Sequence, residues 1–159
     1  GVRQYVEHAK QAGVDGLLTL DLPPEEAEEL VGASRELGMK NVFIVAPTTP
    51  ASRISRIVES SSGFVYYVSR EGVTGTRDDL AVDLGERVSA IRQETDLPIV
   101  VGFGISNKAQ VKEVAQVADG VVVGSALVNC IPENITEPHR IVEKIGQRAR
   151  LLASGLPKN

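Results

Sequence analysis

Five short apolar runs, rich in β-branched residues and separated by longer amphipathic segments, constrain the fold of this chain most strongly. Nearly continuous hydrophobicity is typical of strands that are covered on both faces, as in a parallel sheet. The alternation therefore predicts an α/β protein in which each strand is followed by a helix. The runs are GLLTL (16–20), NVFIVA (41–46), GFVYYVS (63–69), PIVVGFG (98–104) and GVVVGS (120–125).

The segments between the runs carry helix signals. Pro23 and Pro24 stand where a helix can begin, and Gly38 stands where that helix would end. Ser106 or Asn107 is a suitable N-cap for a later helix. Apolar residues at helical spacing predict further helices within 2–9, 50–63, 79–96, 106–120 and 137–154.

Length and charge limit the classes of protein to which this chain can belong. The 159 residues fit one domain, and the formal net charge of -4 with scattered basic residues favours neither nucleic acid nor an anionic membrane as a partner. The single cysteine, Cys130, has no histidine near it in sequence, so inert packing is favoured over a nucleophilic role. No apolar run approaches the roughly 18 residues of a membrane span, which predicts a cytoplasmic protein.

The ends of the strands distinguish the two βα architectures. A doubly wound dinucleotide fold would carry G-x-G-x-x-G after its first strand, and no such motif follows GLLTL. Glycines instead follow the last three strands, in GVTG, GFGIS and VGSA. A (β/α)8 TIM barrel keeps its active site at this end of its strands, often with a phosphate site after the last two.

The number of strands predicts an incomplete barrel. About five βα units are visible, whereas a TIM barrel has eight and about 250 residues. Residues 2–9 have helical spacing, so the sequence starts within a βα unit. We therefore expect residues 1–159 to form the C-terminal part of a single TIM-barrel domain, with the N-terminal units absent.

Glycines at equivalent strand ends suggest an anion site. Gly75, Gly102, Gly104 and Gly124, with Ser125 beside the last, would bring backbone N–H groups to one rim. Each glycine alone is better explained by a tight turn after a strand. Their recurrence after three successive strands favours a phosphate site.

The run at 63–77 adds side chains that suit a substrate site. Tyr66 and Tyr67 alternate in direction, so one points toward the barrel interior or its mouth and the other toward the helices. Arg70 can pair with an anion, and Thr74 can donate or accept a hydrogen bond. The alternatives are a packed tyrosine and an ordinary solvated loop.

Five motifs together resemble the tryptophan synthase alpha chain family. They are LDLPPEE (20–26), VAPTTP (45–50), GFVYYVSREGVTGTR (63–77), VGFGIS (101–106) and ADGVVVGSALV (118–128). The resemblance covers roughly residues 1–150 and corresponds to strands 4 to 8 of that family's (β/α)8 barrel. VGSA alone is shared with many phosphate-binding barrels, whereas the third and fourth motifs together are specific.

The resemblance implies a lyase that cleaves indole-3-glycerol phosphate by a retro-aldol step to indole and glyceraldehyde 3-phosphate, without a cofactor. It implies a loop after strand 6 that closes over the substrate and carries Arg70, Thr74 and Gly75. Carried over residue by residue, the site consists of Tyr66, Arg70 and Thr74 in supporting roles, Gly75, Gly104, Gly124 and Ser125 at the phosphate, Phe103 at the indole pocket, and Asp21 lining the site, with no metal.

The resemblance also implies what this chain lacks and what it binds. The family's acid and base are a glutamate on strand 2 and an aspartate in the following loop, and both would precede residue 1, so we expect the chain alone to be inactive. The family's partner is a pyridoxal-phosphate beta chain in an α2β2 complex. Three alternatives stay open: a non-catalytic phosphate-binding or oligomerising module, a free-standing lyase, and another phosphate-sugar barrel such as a histidine-pathway isomerase, against which the 63–77 motif argues.

Overall fold

The computed structural model describes residues 1–69, 77–102 and 104–157, with the backbone alone for 77–82. Two 3₁₀ turns lie at Pro24–Glu26 and Pro138–Arg140. The strands are β1 (Gly16–Leu18), β2 (Lys40–Val42), β3 (Ile44–Val45), β4 (Val65–Val68), β5 (Ile99–Gly102) and β6 (Gly120–Val122). The helices are α1 (Val2–Gln11), α2 (Glu28–Glu36), α3 (Ala51–Ser60), α4 (Arg77–Arg92), α5 (Lys108–Val114), α6 (Ser125–Val128), α7 (Cys130–Glu133) and α8 (Ile141–Ala153).

The strands pair as the apolar runs predict. β1 pairs with β2, β3 with β4, and β5 with β6, and all three pairs are parallel. The four later strands follow the order β3, β4, β5, β6. β4 and β5 are joined by the Val65 N–H, which donates to the Pro98 carbonyl at 2.9 Å, and by the Ser69 N–H, which donates to the Gly102 carbonyl at 3.1 Å.

The second apolar run forms two short strands rather than one. Lys40–Val42 pairs with β1, whereas Ile44–Val45 pairs with β4. Phe43 lies between them, buried, and its carbonyl accepts a hydrogen bond from the Tyr66 N–H at 3.1 Å. The run is therefore one extended segment whose first half and second half have different neighbours.

The chain divides into two compact units. The first contains residues 1–67 and 89–99, and the second contains residues 68–88 and 100–159. In the first unit, α1 and α2 pack together over β1. Their shared core is formed by Val6, Leu17, Leu30, Ala33 and Met39, each at most 8% exposed. Removal of this apolar surface from water is the main term that stabilises the packing of these elements.

In the second unit, α8 is the element on which the neighbouring helices converge, since α5, α6 and α7 all contact it. Gly155, just after α8, lies so close to α5 that an added Cβ would be 2.6 Å from the Lys108 carbonyl oxygen. Asn107 caps α5, because its side chain accepts from the Gln110 N–H at 3.0 Å while the Gln110 side chain accepts from the Asn107 N–H. This confirms one of the two predicted caps.

Among the residues that the structure describes, no helix has the length and apolar character needed to cross a membrane.

Candidate functional site

Two of the predicted phosphate positions follow neighbouring strands of the second unit. In the parallel pair of β5 and β6, Gly102 lies opposite Val122. Gly104 comes two residues after Gly102, and Gly124 comes two residues after Val122. The two glycines are therefore equivalent in register and follow the same edge of the sheet, where the carboxyl ends of parallel strands meet.

The backbone at these positions differs. Gly104 has φ of 70°, in the left-handed region that favours glycine, so the turn after β5 alone accounts for its identity. Gly124 has φ of -110°, and a Cβ added there would meet no described atom within 4 Å. The described packing does not require glycine at position 124. The bare backbone leaves open space beside the start of α6.

Ser125 begins α6 directly after Gly124. The N–H groups at the start of a helix have no carbonyl one turn earlier to bind, so they are available to an acceptor outside the helix. Ser125 adds a hydroxyl that can donate to an anion. This turn thus presents donors from which a phosphate oxygen can accept hydrogen bonds.

The remaining predicted residues of the second unit lie outside the described residues. These are Arg70, Thr74, Gly75 and Phe103. The described chain approaches them at Ser69, whose N–H binds the Gly102 carbonyl at 3.1 Å. The ends of β4 and β5 are therefore adjacent in the second unit. The roles of Arg70, Thr74, Gly75 and Phe103 stay predictions.

In the first unit, Tyr66 and Tyr67 occupy consecutive positions of β4 and alternate in burial, as predicted. Tyr67 is 2% exposed, whereas Tyr66 is half-buried and lies opposite Ile44 of β3. Burial raises the pKa of the Tyr66 phenol above its usual value of 10.0. Tyr66 is therefore protonated at neutral pH and can donate a hydrogen bond.

Asp21 is exposed and lies three residues after the end of β1. It belongs to an open groove of the first unit, with Tyr5 of α1 on one side and Leu18 of β1 on another. The segment that carries Asp21 continues into the 3₁₀ turn Pro24–Glu26. Asp21 is thus accessible in the segment that follows β1, and its role in lining the site stays a prediction.

A polar contact beside this segment was missed by the sequence analysis. The Arg53 guanidinium of α3 binds both carboxylate oxygens of Glu25, with Nε 3.1 Å from Oε1 and Nη2 2.8 Å from Oε2. Glu25 follows Pro24 directly, where the sequence predicts the start of a helix. Nothing in the sequence pattern links it to a residue 28 positions later.

No group of three or more His, Cys, Asp or Glu side chains suited to a metal ion occurs in the described part of the chain. Cys130 is 2% exposed, and its Sγ lies 3.8 Å from the Ala126 carbonyl oxygen within the α6–α7 turn. Its burial agrees with the packing role expected from the sequence.

Comparison with known proteins decides the family. A family model described as the tryptophan synthase alpha chain matches residues 1–156. The chain belongs to the tryptophan synthase alpha chain family. A tryptophan synthase alpha chain from Opitutus terrae is 59% identical over 155 residues, which is 98% of this chain and 58% of that protein. One from a Geobacter species is 47% identical over 158 residues, 99% of this chain and 58% of that protein.

Solved structures of the family have the same fold. A chain of the tryptophan synthase α2β2 complex from Pyrococcus furiosus superposes with a TM-score of 0.83 at 37% identity, covering 97% of this chain and 61% of that one. A chain of tryptophan synthase from Mycobacterium tuberculosis superposes with a TM-score of 0.79 at 37% identity, covering 100% of this chain and 58% of that one. These relatives are TIM barrels. The present chain is an α/β protein and corresponds to part of such a barrel.

Both the predicted family and the predicted fold class are therefore confirmed. The chain spans about 58% of the length of the relatives it matches.

Proposed function

We propose that the protein containing this chain is the alpha subunit of tryptophan synthase. It cleaves indole-3-glycerol phosphate to indole and glyceraldehyde 3-phosphate in tryptophan biosynthesis, and it needs no cofactor. The observation that carries this proposal is the family match over residues 1–156, supported by 59% identity to a relative of that name. The non-catalytic module and the isomerase are not favoured by that match.

The phosphate group of the substrate binds in the second unit, at Gly104, Gly124 and Ser125. The support is the register equivalence of Gly104 and Gly124 after β5 and β6, together with the open space beside Gly124. Backbone N–H groups and a serine hydroxyl stabilise a dianion by several hydrogen bonds, and each hydrogen bond to a charged group contributes about 1.5–3 kcal/mol. Gly75 completes this set.

The remaining side chains act on the other parts of the substrate. Tyr66, as a neutral phenol, donates a hydrogen bond near the reacting portion, and Asp21 lines the site. Arg70 and Thr74 support closure of the loop that carries them, and Phe103 forms part of the indole pocket. These assignments rest on the family motifs at the corresponding positions.

The chemistry requires two carboxyl groups that we place outside residues 1–159. One protonates C3 of the indole ring, and the resulting indoleninium cation accepts the electron pair of the C–C bond as that bond breaks, so that neutral indole leaves. The other accepts the proton of the substrate hydroxyl as the C–C bond breaks and that carbon becomes an aldehyde. The chain of 159 residues alone is therefore inactive in this proposal.

We also propose that the subunit functions in the cytoplasm and associates with a beta chain that receives the indole. Structures of relatives include an α2β2 complex of tryptophan synthase, which supports this partner. The partner distinguishes the subunit from a free-standing lyase. Indole release that rises several-fold when a beta chain is added supports the subunit, and an unchanged rate supports the free-standing lyase.

The decisive experiment is an indole-release assay on the full-length gene product. We expect release from indole-3-glycerol phosphate by the full-length protein and none by the isolated 159-residue chain. Circular dichroism of both samples controls for folding. A folded full-length protein that releases no indole contradicts the proposed activity.

A further inference from the structure

The contact between Glu25 and Arg53 joins a 3₁₀ turn to a helix of the first unit. Glu25 lies in the 3₁₀ turn that follows the segment carrying Asp21, and Arg53 lies in the first turn of α3. Both carboxylate oxygens are bound, at 3.1 and 2.8 Å. A guanidinium that binds a carboxylate through two parallel hydrogen bonds fixes orientation as well as distance.

The 3₁₀ turn transmits this restraint to its neighbours. The Glu26 N–H donates to the Pro23 carbonyl at 3.0 Å, and the Ala27 N–H donates to the Pro24 carbonyl at 3.3 Å. Ala27 is fully buried at the start of α2. Residues 19–22 therefore run between two fixed points, which are the end of β1 and a turn bound to α3.

The charges around Glu25 favour the ionised pair. The Arg53 guanidinium holds the pKa of the Glu25 carboxyl below its ordinary value, and Arg56 adds a weaker attraction. Both partners are about half exposed, with side-chain exposures of 45% for Arg53 and 47% for Glu25. Exposed pairs contribute little to the free energy of unfolding. The effect of this pair is thus on local geometry rather than on global stability.

We propose that Glu25 and Arg53 are positioning residues that hold the segment 19–22, and with it Asp21, in the orientation required for substrate binding. This inference rests on the proposed function, because it takes Asp21 as part of the substrate site. Neither residue contacts the substrate. Their role is to reduce the freedom of the segment before the substrate arrives, which lowers the entropic cost of binding and reaction.

The first unit offers a matched control. Arg3 of α1 binds Glu36 of α2 through both of its terminal nitrogens, and the two side chains are 54% and 62% exposed. This pair also joins two elements distant in sequence. It lies on helices and holds no segment that carries a predicted site residue. Loss of either pair removes one exposed tertiary contact between arginine and glutamate.

The experiment compares four variants of the full-length protein with wild type: Arg53→Gln, Arg53→Lys, Arg3→Gln, and the exchange Glu25→Arg with Arg53→Glu. Two readouts are used for each. The first is kcat and KM for indole release. The second is hydrogen–deuterium exchange of the peptide that covers residues 17–27.

We expect Arg53→Gln to lower kcat/KM by up to about fivefold, because an exposed ion pair cannot restrain the segment by more than its own interaction energy. Exchange in residues 19–22 is expected to accelerate in the same variant. Arg53→Lys keeps the charge but loses the two-pronged contact, so its kcat/KM falls between wild type and Arg53→Gln. Arg3→Gln matches wild type in both readouts, and the exchanged pair recovers part of the loss.

Two outcomes separate this inference from the proposed function. If wild type releases indole while Arg53→Gln matches wild type in kcat/KM and in exchange, the positioning role is overturned. If wild type releases no indole, the proposed function fails, and the exchange data alone then test the restraint on residues 19–22. Unchanged exchange at 19–22 in Arg53→Gln then also overturns the restraint, whereas accelerated exchange supports it.

Discussion

At the scale of single residues, Gly104 and Gly124 follow neighbouring strands but differ in backbone conformation and in surroundings. Gly104 needs its left-handed φ of 70°, while Gly124 has neither a positive φ nor a crowded neighbourhood in the described structure. Both were equivalent in the sequence, as glycines after strands. The distinction requires backbone angles and three-dimensional packing, which no local pattern encodes.

Gly124→Ala separates binding from stability. Because an added Cβ meets no described atom within 4 Å, we expect the free energy of unfolding to stay within about 0.5 kcal/mol of wild type. KM for indole-3-glycerol phosphate is expected to rise about tenfold or more, because the added Cβ occupies the open space where the phosphate binds. Displacing the phosphate from one N–H costs about 1.5–3 kcal/mol. Urea unfolding and steady-state kinetics of the full-length protein measure the two quantities.

Gly32→Ala serves as its control. Gly32 lies within α2, and an added Cβ there also meets no atom within 4 Å. We expect a gain in stability of about 0.5–1 kcal/mol from the better helix former, with KM unchanged. A Gly124→Ala protein with wild-type KM would remove Gly124 from the phosphate site.

Tyr66 gives a prediction about pH. Its pKa is raised by burial above 10.0, so the unfolded chain loses this proton at a lower pH than the folded one. Above about pH 10 the unfolded state binds fewer protons than the folded state, and stability falls as pH rises. We expect urea midpoints of wild type to fall more steeply between pH 9 and pH 11, a window of roughly one unit either side of the ordinary value, than those of Tyr66→Phe. Parallel curves would show that Tyr66 is not buried as described.

At the scale of elements, the periodicity of apolar residues predicts which segments are strands and helices better than where they end. The helix predicted to begin at Pro23 or Pro24 starts as a 3₁₀ turn at Pro24–Glu26, and α2 begins only at Glu28. Proline fits the first turn but supplies no N–H, and its fixed φ suits the tighter turn as well. The short helices α6 and α7 were not separately predicted, since four residues are too few to display a period of 3.6.

The capping box of α5 gives a prediction at this scale. Asn107→Ala removes the acceptor for the Gln110 N–H, which lies 3.0 Å from Asn107 Oδ1. We expect a loss of about 0.5–2 kcal/mol in the free energy of unfolding, measured by urea titration.

Ser60→Ala is the control for this change, because the Ser60 hydroxyl donates to the Arg56 carbonyl at the end of α3 and caps no N–H group. It is expected to stay within about 0.5 kcal/mol of wild type. Equal effects of Asn107→Ala and Ser60→Ala would contradict the capping role.

At the scale of the whole molecule, parallel strands separated by helices were predictable because strands with two covered faces must be apolar throughout. The division of the chain into two units was not predictable from the sequence. It depends on contacts between residues far apart in sequence, such as those that bring 89–99 together with 1–67. The Glu25–Arg53 contact escaped prediction for the same reason.

The core of the first unit gives the last prediction. Leu30 is 5% exposed between α1 and β1, so Leu30→Ala leaves a cavity and is expected to cost about 2–5 kcal/mol of unfolding free energy. Leu20 is 69% exposed in the same unit, and Leu20→Ala is expected to cost less than about 0.5 kcal/mol. Thermal and urea unfolding of the two variants test this difference, and equal losses would place Leu30 outside the core.

The discontinuity of the first unit has a consequence for synthesis on the ribosome. Residues 1–67 leave the ribosome before residues 89–99 of the same unit, and the Val65 N–H binds the carbonyl of Pro98, which is added later. At about 5–20 residues per second, residue 99 is added about 2–6 s after residue 67. During that interval one edge of β4 lacks its partner, and the nascent chain exposes it to chaperones and to neighbouring chains.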